Sequence, residues 1–351
     1  FPWAGLRHLA GGRSLPPRQG DVWRMDLSRF EWFEAGGRRA CPGWAWNTHL
    51  VYDSHIPDRF THIHFADAVT GTPAPLPQEP AGALARARTG SGSPSVVYLC
   101  PRAEAAPSVD GLLDEPVWAG ASRTTRFVDA SSGRVAYFAT AAALAWDDAC
   151  LYVAAWLEER DVWSTGAARG GLVWEDNTFE LFVAGDGALY QLSVNPAGAA
   201  EELLFVWADA WAGGGCRATS DLDLALRAPM VVGGDNPPHH RRGRRWLFDG
   251  WRLPGLRSAV QVDGSLNRRQ ELDRGWTVEL ALPWVGLRHV VDGPCPPATG
   301  QHLRVAVARN QVIDQRQMRW TTQWSWHVAG AEGLYAPESY PVVQLAAPTA
   351  R

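Results

Sequence analysis

The sequence predicts an all-β fold, an antiparallel β-sandwich of jelly-roll-like form. Three observations carry that prediction. Short segments alternate apolar and polar residues with period two, the mark of a strand that buries one face. Turn-forming residues stand between those segments rather than inside them. Sustained helical periodicity is scarce along the same stretch.

The segments follow in order. Leu151 to Glu158 sets Leu151, Val153, Ala155 and Leu157 on one side. Asn177 to Val183 sets Phe179, Leu181 and Val183 against Thr178, Glu180 and Phe182. Tyr190 to Asn195 sets Tyr190, Leu192 and Val194 against Gln191, Ser193 and Asn195. Thr277 to Leu282 behaves alike, and in Leu303 to Asn310 the residues Leu303, Val305 and Val307 oppose Arg304, Ala306 and Asn310. Asp147-Asp148, Gly185-Asp186-Gly187, Asp263-Gly264 and Gly293-Pro294 supply turn chemistry between segments. Two sheets of such strands close on their apolar faces and leave a polar face on each.

Composition bounds the function. The chain has 351 residues, 46% of them hydrophobic, enough for one large core or two small ones. Lys and Arg number 33 and Asp and Glu 37, for a net charge of −4. That balance points to no nucleic-acid partner and no anionic surface. No apolar run is long enough for a membrane span, so no membrane partner is expected. The five cysteines are Cys41, Cys100, Cys150, Cys216 and Cys295. They form no C-x-x-C pair and are widely spaced, which argues against thiolate zinc and against a dense disulfide framework. The 19 tryptophans are mostly expected in the core, with some free to stack on flat ligands.

An internal repeat divides the chain. Phe1 to Leu9 matches Leu282 to Val290, sharing Pro2 with Pro283, Trp3 with Trp284, and Gly5-Leu6-Arg7-His8 with Gly286-Leu287-Arg288-His289. The match continues through Pro16-Pro17 with Pro296-Pro297, Arg24 with Arg304, Arg29 with Arg309, and Trp44 and Trp46 with Trp324 and Trp326. Residues 1–67 therefore read as the C-terminal part of a first copy, 68–95 as a Pro/Ala/Gly/Ser-rich linker, and 96–348 as a complete domain. Recurrence in both copies favours a core role for Trp324 and Trp326.

The order of motifs in the complete copy resembles carbohydrate-binding module family 9, a sandwich akin to DOMON domains. Val109-Asp110-Gly111-Leu112-Leu113-Asp114-Glu115-Pro116-Val117-Trp118 is similar to that family's first strand and turn. Ala145-Trp146-Asp147-Asp148 with Leu151-Tyr152-Val153-Ala154 is similar to its central strand. Trp174-Glu175-Asp176-Asn177 leading into Phe179-Glu180-Leu181-Phe182-Val183 is the most specific match, and Tyr190 to Asn195, Gly275 to Glu279 and Pro283-Trp284 follow in the family's order. The resemblance implies a non-catalytic module that binds a sugar or polysaccharide, often at chain ends, in proteins that also carry plant-polysaccharide hydrolase modules. It further implies structural calcium and an extracellular or periplasmic setting.

Sugars present apolar C–H faces and a rim of hydroxyls, so a site needs an aromatic plate beside rigid polar groups. Trp174, just before a strand, and Glu180, on the polar face of that strand, meet the need. In similar family members a tryptophan and a glutamate in these positions contact the sugar. Gln191, Asn195 and Arg304 share polar strand faces and are further candidates. Ligand-sandwiching members carry a second stacking tryptophan near the end of the domain. In Gly333-Leu334-Tyr335-Ala336-Pro337, Leu334 takes that position and Tyr335 stands beside it as the candidate contact. For calcium, hard oxygen donors are required, and Asp147, Asp148, Glu158, Glu159 and Asp161 are the candidates.

Other readings stay open. A glycoside hydrolase needs two facing carboxylates, and Glu175, Asp176, Glu180, Glu201 and Glu202 supply material. A haem-binding electron-transfer domain needs an axial His or Met, with Met230 and Met318 available. A purely structural or interaction module is a third. The basic run Pro237 to Arg245 reads as a solvated inserted loop.

Overall fold

The computed structural model describes residues 96–166, 173, 176–213, 220–233, 240–268, 270–315, 318–330 and 333–347. The chain divides into two compact units, Phe1–Ser93 and Pro94–Arg351. The expected partial copy at 1–67 and the linker at 68–95 lie outside the described residues.

The described strands are β1 (Val96–Cys100), β2 (Val128–Asp129), β3 (Thr140–Trp146), β4 (Cys150–Glu158), β5 (Thr178–Ala184), β6 (Ala188–Val194), β7 (Ala200–Trp207), β8 (Met230–Val232), β9 (Arg245–Phe248), β10 (Arg257–Asp263), β11 (Gly275–Pro283), β12 (His302–Gln315), β13 (Met318–Ser325) and β14 (Val342–Leu345). They form two sheets. The smaller runs β10-β11-β4-β3 and is wholly antiparallel. The larger runs β1-β14-β12-β5-β6-β7-β9-β8, with β13 pairing β12 and β2. Only β1 with β14 is parallel among the described pairs. The predicted turns fall where expected: Asp147-Asp148 joins β3 to β4 and Gly185-Asp186-Gly187 joins β5 to β6.

The inner faces close on one apolar core. Leu151, Val153, Ala155 and Leu157 from β4 meet Phe179, Leu181 and Val183 from β5, with Tyr190, Leu192 and Val194 from β6. Trp324 and Trp326 belong to this core, 4% and 9% exposed. Each fully buried large apolar side chain contributes roughly 1.5–3 kcal/mol. One charged pair crosses the same interior. Arg309 of β12 is fully buried, 2.6 Å from Glu159, and donates through Nη1 to the Glu158 carbonyl at 2.7 Å and to Thr140 Oγ1 at 3.1 Å. It thereby ties the larger sheet to the ends of β3 and β4, between the rings of Phe138 and Trp324.

The outer face of the smaller sheet is covered by the segment that precedes β2. The stretch resembling a first strand, Val109 to Trp118, holds no strand; it is loop followed by a short helix over Pro116–Gly120. Its amides go to a side chain instead of a ladder. Glu279 Oε2 on β11 accepts from Asp110 N at 3.1 Å and Gly111 N at 3.0 Å, and Oε1 accepts from Trp118 Nε1 at 2.8 Å. Gly111 has φ of 87°, and a Cβ there would come within 3.0 Å of the Gln261 backbone nitrogen, so the turn requires glycine. Trp118 then packs on Ala143, Ala145, Tyr152 and Ala154.

The outer face of the larger sheet is covered in part by the chain between β13 and β14. Leu334 and Tyr340 pack with Phe182, Leu189, Phe205, Ala306 and Ala308, and Tyr335 lies against them. Arg245, 1% exposed, holds this cover by donating from Nη1 to the Tyr335 carbonyl at 2.9 Å while stacking on Trp207 at 4.8 Å. The basic run is therefore bound to the protein at its C-terminal end, where Arg241 pairs with Glu338 at 2.7 Å and Arg242 with Asp209 at 3.1 Å. No helix among the described residues is long and apolar enough to cross a membrane.

Candidate functional site

Strand register decides which polar side chains meet on the outer face of the larger sheet. Residues directly opposite on paired strands share a face. Glu180 of β5 stands opposite Ala308 of β12 and Ser193 of β6, and Ser193 stands opposite Glu201 of β7. Thr178 stands opposite Asn310, which stands opposite Gln323 of β13. Phe182 stands opposite Gln191. A polar ladder thus crosses five strands, bordered by Phe182 and the Tyr335 turn.

The ladder is bonded along its length. Gln323 Nε2 donates to Glu180 Oε2 at 2.9 Å. Tyr335 Oη donates to Gln191 Oε1 at 3.0 Å, and Gln191 Nε2 donates to Ser193 Oγ at 3.3 Å. Thr178 is buried on the same face, its hydroxyl beside the Glu180 carboxyl. Glu180 and Gln191 are only 4% and 5% exposed, whereas Asn310, Gln323, Glu201 and Tyr335 are half-buried. The sequence reading set Glu180 and Gln191 on an open sheet face. The face is the expected one, but they form its floor, because Ala329, Leu334, Tyr335 and Tyr340 pack with Phe182 on the same face. The accessible rim belongs to the half-buried residues.

Burial dominates the electrostatics. Loss of solvent pushes the Glu180 carboxyl from its usual 4.5 to about 7; Gln323 pulls it down less strongly, and the charge of Glu201 raises it further. Burial also pushes the Tyr335 phenol up. Burial lowers His327, behind Tyr340, to about 4, so it is neutral at pH 7.

The remaining predicted residues fall elsewhere. Trp174 lies outside the described residues. Asn195 is fully buried and its amide is consumed: Nδ2 donates to Asp176 Oδ2 at 2.9 Å and Ser164 Oγ at 3.0 Å, and Oδ1 accepts from Ala197 N and Ala199 N. It shapes the β6–β7 turn and is no ligand group. Arg304 stands opposite Ala184, about 13 Å along the strand from the Glu180 level at 3.3 Å per residue. There it binds Asp186 at 2.5 Å and Asp292 at 3.2 Å, so it closes the β5–β6 turn rather than joining the ladder.

The calcium expectation does not fit the geometry. Asp147 and Asp148 precede β4 and Glu158 ends it, roughly 26 Å apart along an extended strand. Asp161 follows the far end of β4, so it too is separated from the first pair. Asp147 accepts from Ala149 N, Cys150 N and Tyr152 Oη, and Asp148 pairs with Arg102. Glu158 accepts from Ala139 N at 2.9 Å, and Glu159 is committed to Arg309. Oxygen donors that do not converge cannot share one ion. The one acidic group of metal-holding spacing among the described residues is Asp110, Glu115 and Glu279, whose central carboxylate already accepts three hydrogen bonds.

The ladder members that sequence reading did not offer as sugar contacts are Thr178, Ser193, Gln323 and Glu201, the last offered there only as a hydrolase carboxylate. Only cross-strand register joins them. The repeat held no signal for Gln323 either, since Gly43 is its counterpart in the first copy. Met230, a haem-ligand candidate, lies half exposed on edge strand β8.

No protein-family model matches the chain, and no curated protein matches it. Among solved structures, a carbohydrate-binding module of family 9 from Caldicellulosiruptor kristjanssonii in complex with cellotriose matches 72% of this chain and 95% of its own, with 11% identity and a TM-score of 0.43. The same organism's module in complex with glucose matches 73% and 97%, with 11% identity and a TM-score of 0.42. A protein from Bacteroides uniformis ATCC 8492 matches 71% and 98%, with 14% identity and a TM-score of 0.46. At these values the neighbours carry no inference about what this chain binds.

Proposed function

We propose that this chain is a non-catalytic carbohydrate-binding module whose ligand meets the outer face of the larger sheet. The observation that supports the reading is the polar ladder Gln323–Glu180–Ser193–Gln191–Tyr335, in which amides, hydroxyls and a carboxyl alternate beside aromatic rings. Planar amides and carboxyls match the hydroxyl rim of a sugar, and the face of an aromatic ring matches its C–H face. Asn310, Gln323, Glu201 and Tyr335 offer the accessible contacts, and Trp174 supplies the stacking plate that the sequence resemblance implies. The 1–67 repeat supports a tandem arrangement, and the same resemblance supports service to an attached polysaccharide hydrolase.

A screen of the full chain on a glycan array, followed by titration calorimetry, tests the reading. Trp174→Ala should weaken the best soluble ligand by at least about 1 kcal/mol, the worth of an aromatic contact. Unchanged affinity removes Trp174 from the site, and silence across the array leaves the ladder as a structural network.

A further inference from the structure

Glu180 is a buried acid with no cation to meet it. Its floor position leaves 4% exposure, and the side chains that bond it or flank it on the ladder are Gln323, Ser193 and Thr178, all neutral. The other charged group on its cross-strand row is Glu201, also acidic. Elsewhere in the domain a buried carboxylate is matched: Glu159 meets Arg309, and Glu279 meets three N–H donors. Two arginines of this outer face are spent elsewhere: Arg245 on the Tyr335 carbonyl and on Trp207, its charge acting on Tyr335, Tyr340 and Glu338, and Arg304 on Asp186 and Asp292. Thr178, fully buried two residues from Glu180 on the same face, turns its hydroxyl toward that carboxyl. A buried carboxyl without a cation therefore lies beneath the half-buried rim of Asn310, Gln323, Glu201 and Tyr335.

We infer that the face prefers a sugar bearing a protonated amine, an amino sugar, whose ammonium pairs with the Glu180 carboxylate. The inference rests on the carbohydrate reading above and specifies its ligand. An ammonium supplies the charge partner that the protein withholds, and a charge-assisted hydrogen bond is about twice as strong as a neutral one. A uronic acid brings a third carboxylate next to Glu180 and Glu201 and is repelled. A neutral sugar meets Glu180 as an acid and gains no charge pair. The proton balance follows. Burial holds Glu180 protonated near neutral pH, so binding of the ammonium form ionises it and its proton passes to the buffer. The titratable groups that act on it are Glu201 from β7 and Tyr335 and Tyr340 from the covering turn; His327 after β13 lies against Tyr340, Arg245 from β9 lies against Tyr335, and β6 and β12 contribute none at this level.

Titration of the full chain with glucosamine, glucose and glucuronate at pH 6, in two buffers of different ionisation enthalpy, tests this. Glucosamine should bind of order tenfold tighter than glucose, with about one proton released per ligand, and glucuronate should bind weakest. Glu180→Gln should remove both the preference for glucosamine over glucose and the proton release. Equal affinity for glucosamine and glucose without proton release overturns the inference and leaves the carbohydrate reading intact. Failure of all three sugars, and of the glycan array, overturns both. The buffer comparison on the unaltered chain stands even if the variant does not fold.

Discussion

A carboxyl and an arginine show how burial sets the chemistry of single residues here. Glu180 and Glu159 are both acids, 4% and 3% exposed, yet they meet opposite surroundings. Glu159 has Arg309, Gln311 and Asn177 around it and forms an ion pair between the sheets. Glu180 has neutral partners and an acidic neighbour, and it retains its proton up to about pH 7. Its consequence for stability has a definite sign. The folded chain holds a proton that the unfolded chain releases above 4.5, so Glu180's contribution is full below pH 4.5 and is lost as pH rises through about 7. Between those limits the loss should amount to roughly 3 kcal/mol. Urea unfolding of wild type and Glu180→Gln at pH 4.5 and 7.5 measures it as a difference between the two proteins. The comparison removes the opposing effect of His327, whose depressed pKa makes stability rise with pH between about 4 and 6.5. Parallel pH profiles for the two proteins would show that Glu180 is ionised in the folded state at neutral pH.

At the scale of elements, strands were legible and their covers were not. Period two placed Leu151, Phe179, Tyr190 and Leu303 on inner faces because alternation is a property of the extended chain itself. Val109 to Trp118 resembled a strand but forms loop and helix, since Gly111 takes a positive φ and Pro116 opens a helical turn. What holds that segment is a tertiary contact, the Glu279 carboxylate receiving two backbone amides and one indole. Glu279→Ala should cost about 2–3 kcal/mol by leaving buried donors without an acceptor. Hydrogen exchange at the Asp110 and Gly111 amides should accelerate in the same variant. Exchange rates equal to wild type would mean that the packing of Trp118 alone docks the segment.

Across the whole molecule, the described core is closed within one unit. Every member of the main apolar cluster lies between Tyr98 and Leu345, and both sheets contribute inner faces to it. A fragment of residues 94–351 should therefore unfold in urea as one cooperative transition, with tryptophan fluorescence and far-ultraviolet circular dichroism coincident. Separate transitions by the two probes would show that the sandwich needs more of the chain. The same closure explains the location of the candidate site. With inner faces spent on the core and the smaller sheet's outer face under Trp118, the polar groups of the larger sheet's outer face are those left to meet a ligand.

From sequence alone came the sandwich class, the facing of its central strands, the turns between them, the core role of Trp324 and Trp326, and the choice of Glu180, Gln191 and Tyr335 as candidates. These follow from local periodicity, turn chemistry and ordered motifs, which are written along the chain. The tertiary structure decided that Ser193, Thr178, Glu201 and Gln323 share a sheet face with those three, that Asn195 and Arg304 are bonded into turns, and that Asp147 and Asp148 stand at the opposite end of β4 from Glu158, Glu159 and Asp161. Register between strands distant in sequence brings groups together, and a hydrogen bond already made to a turn takes a polar side chain out of use. It also decided that Glu180 lies under cover with neutral partners, because solvent exclusion belongs to the packed assembly and to no single segment.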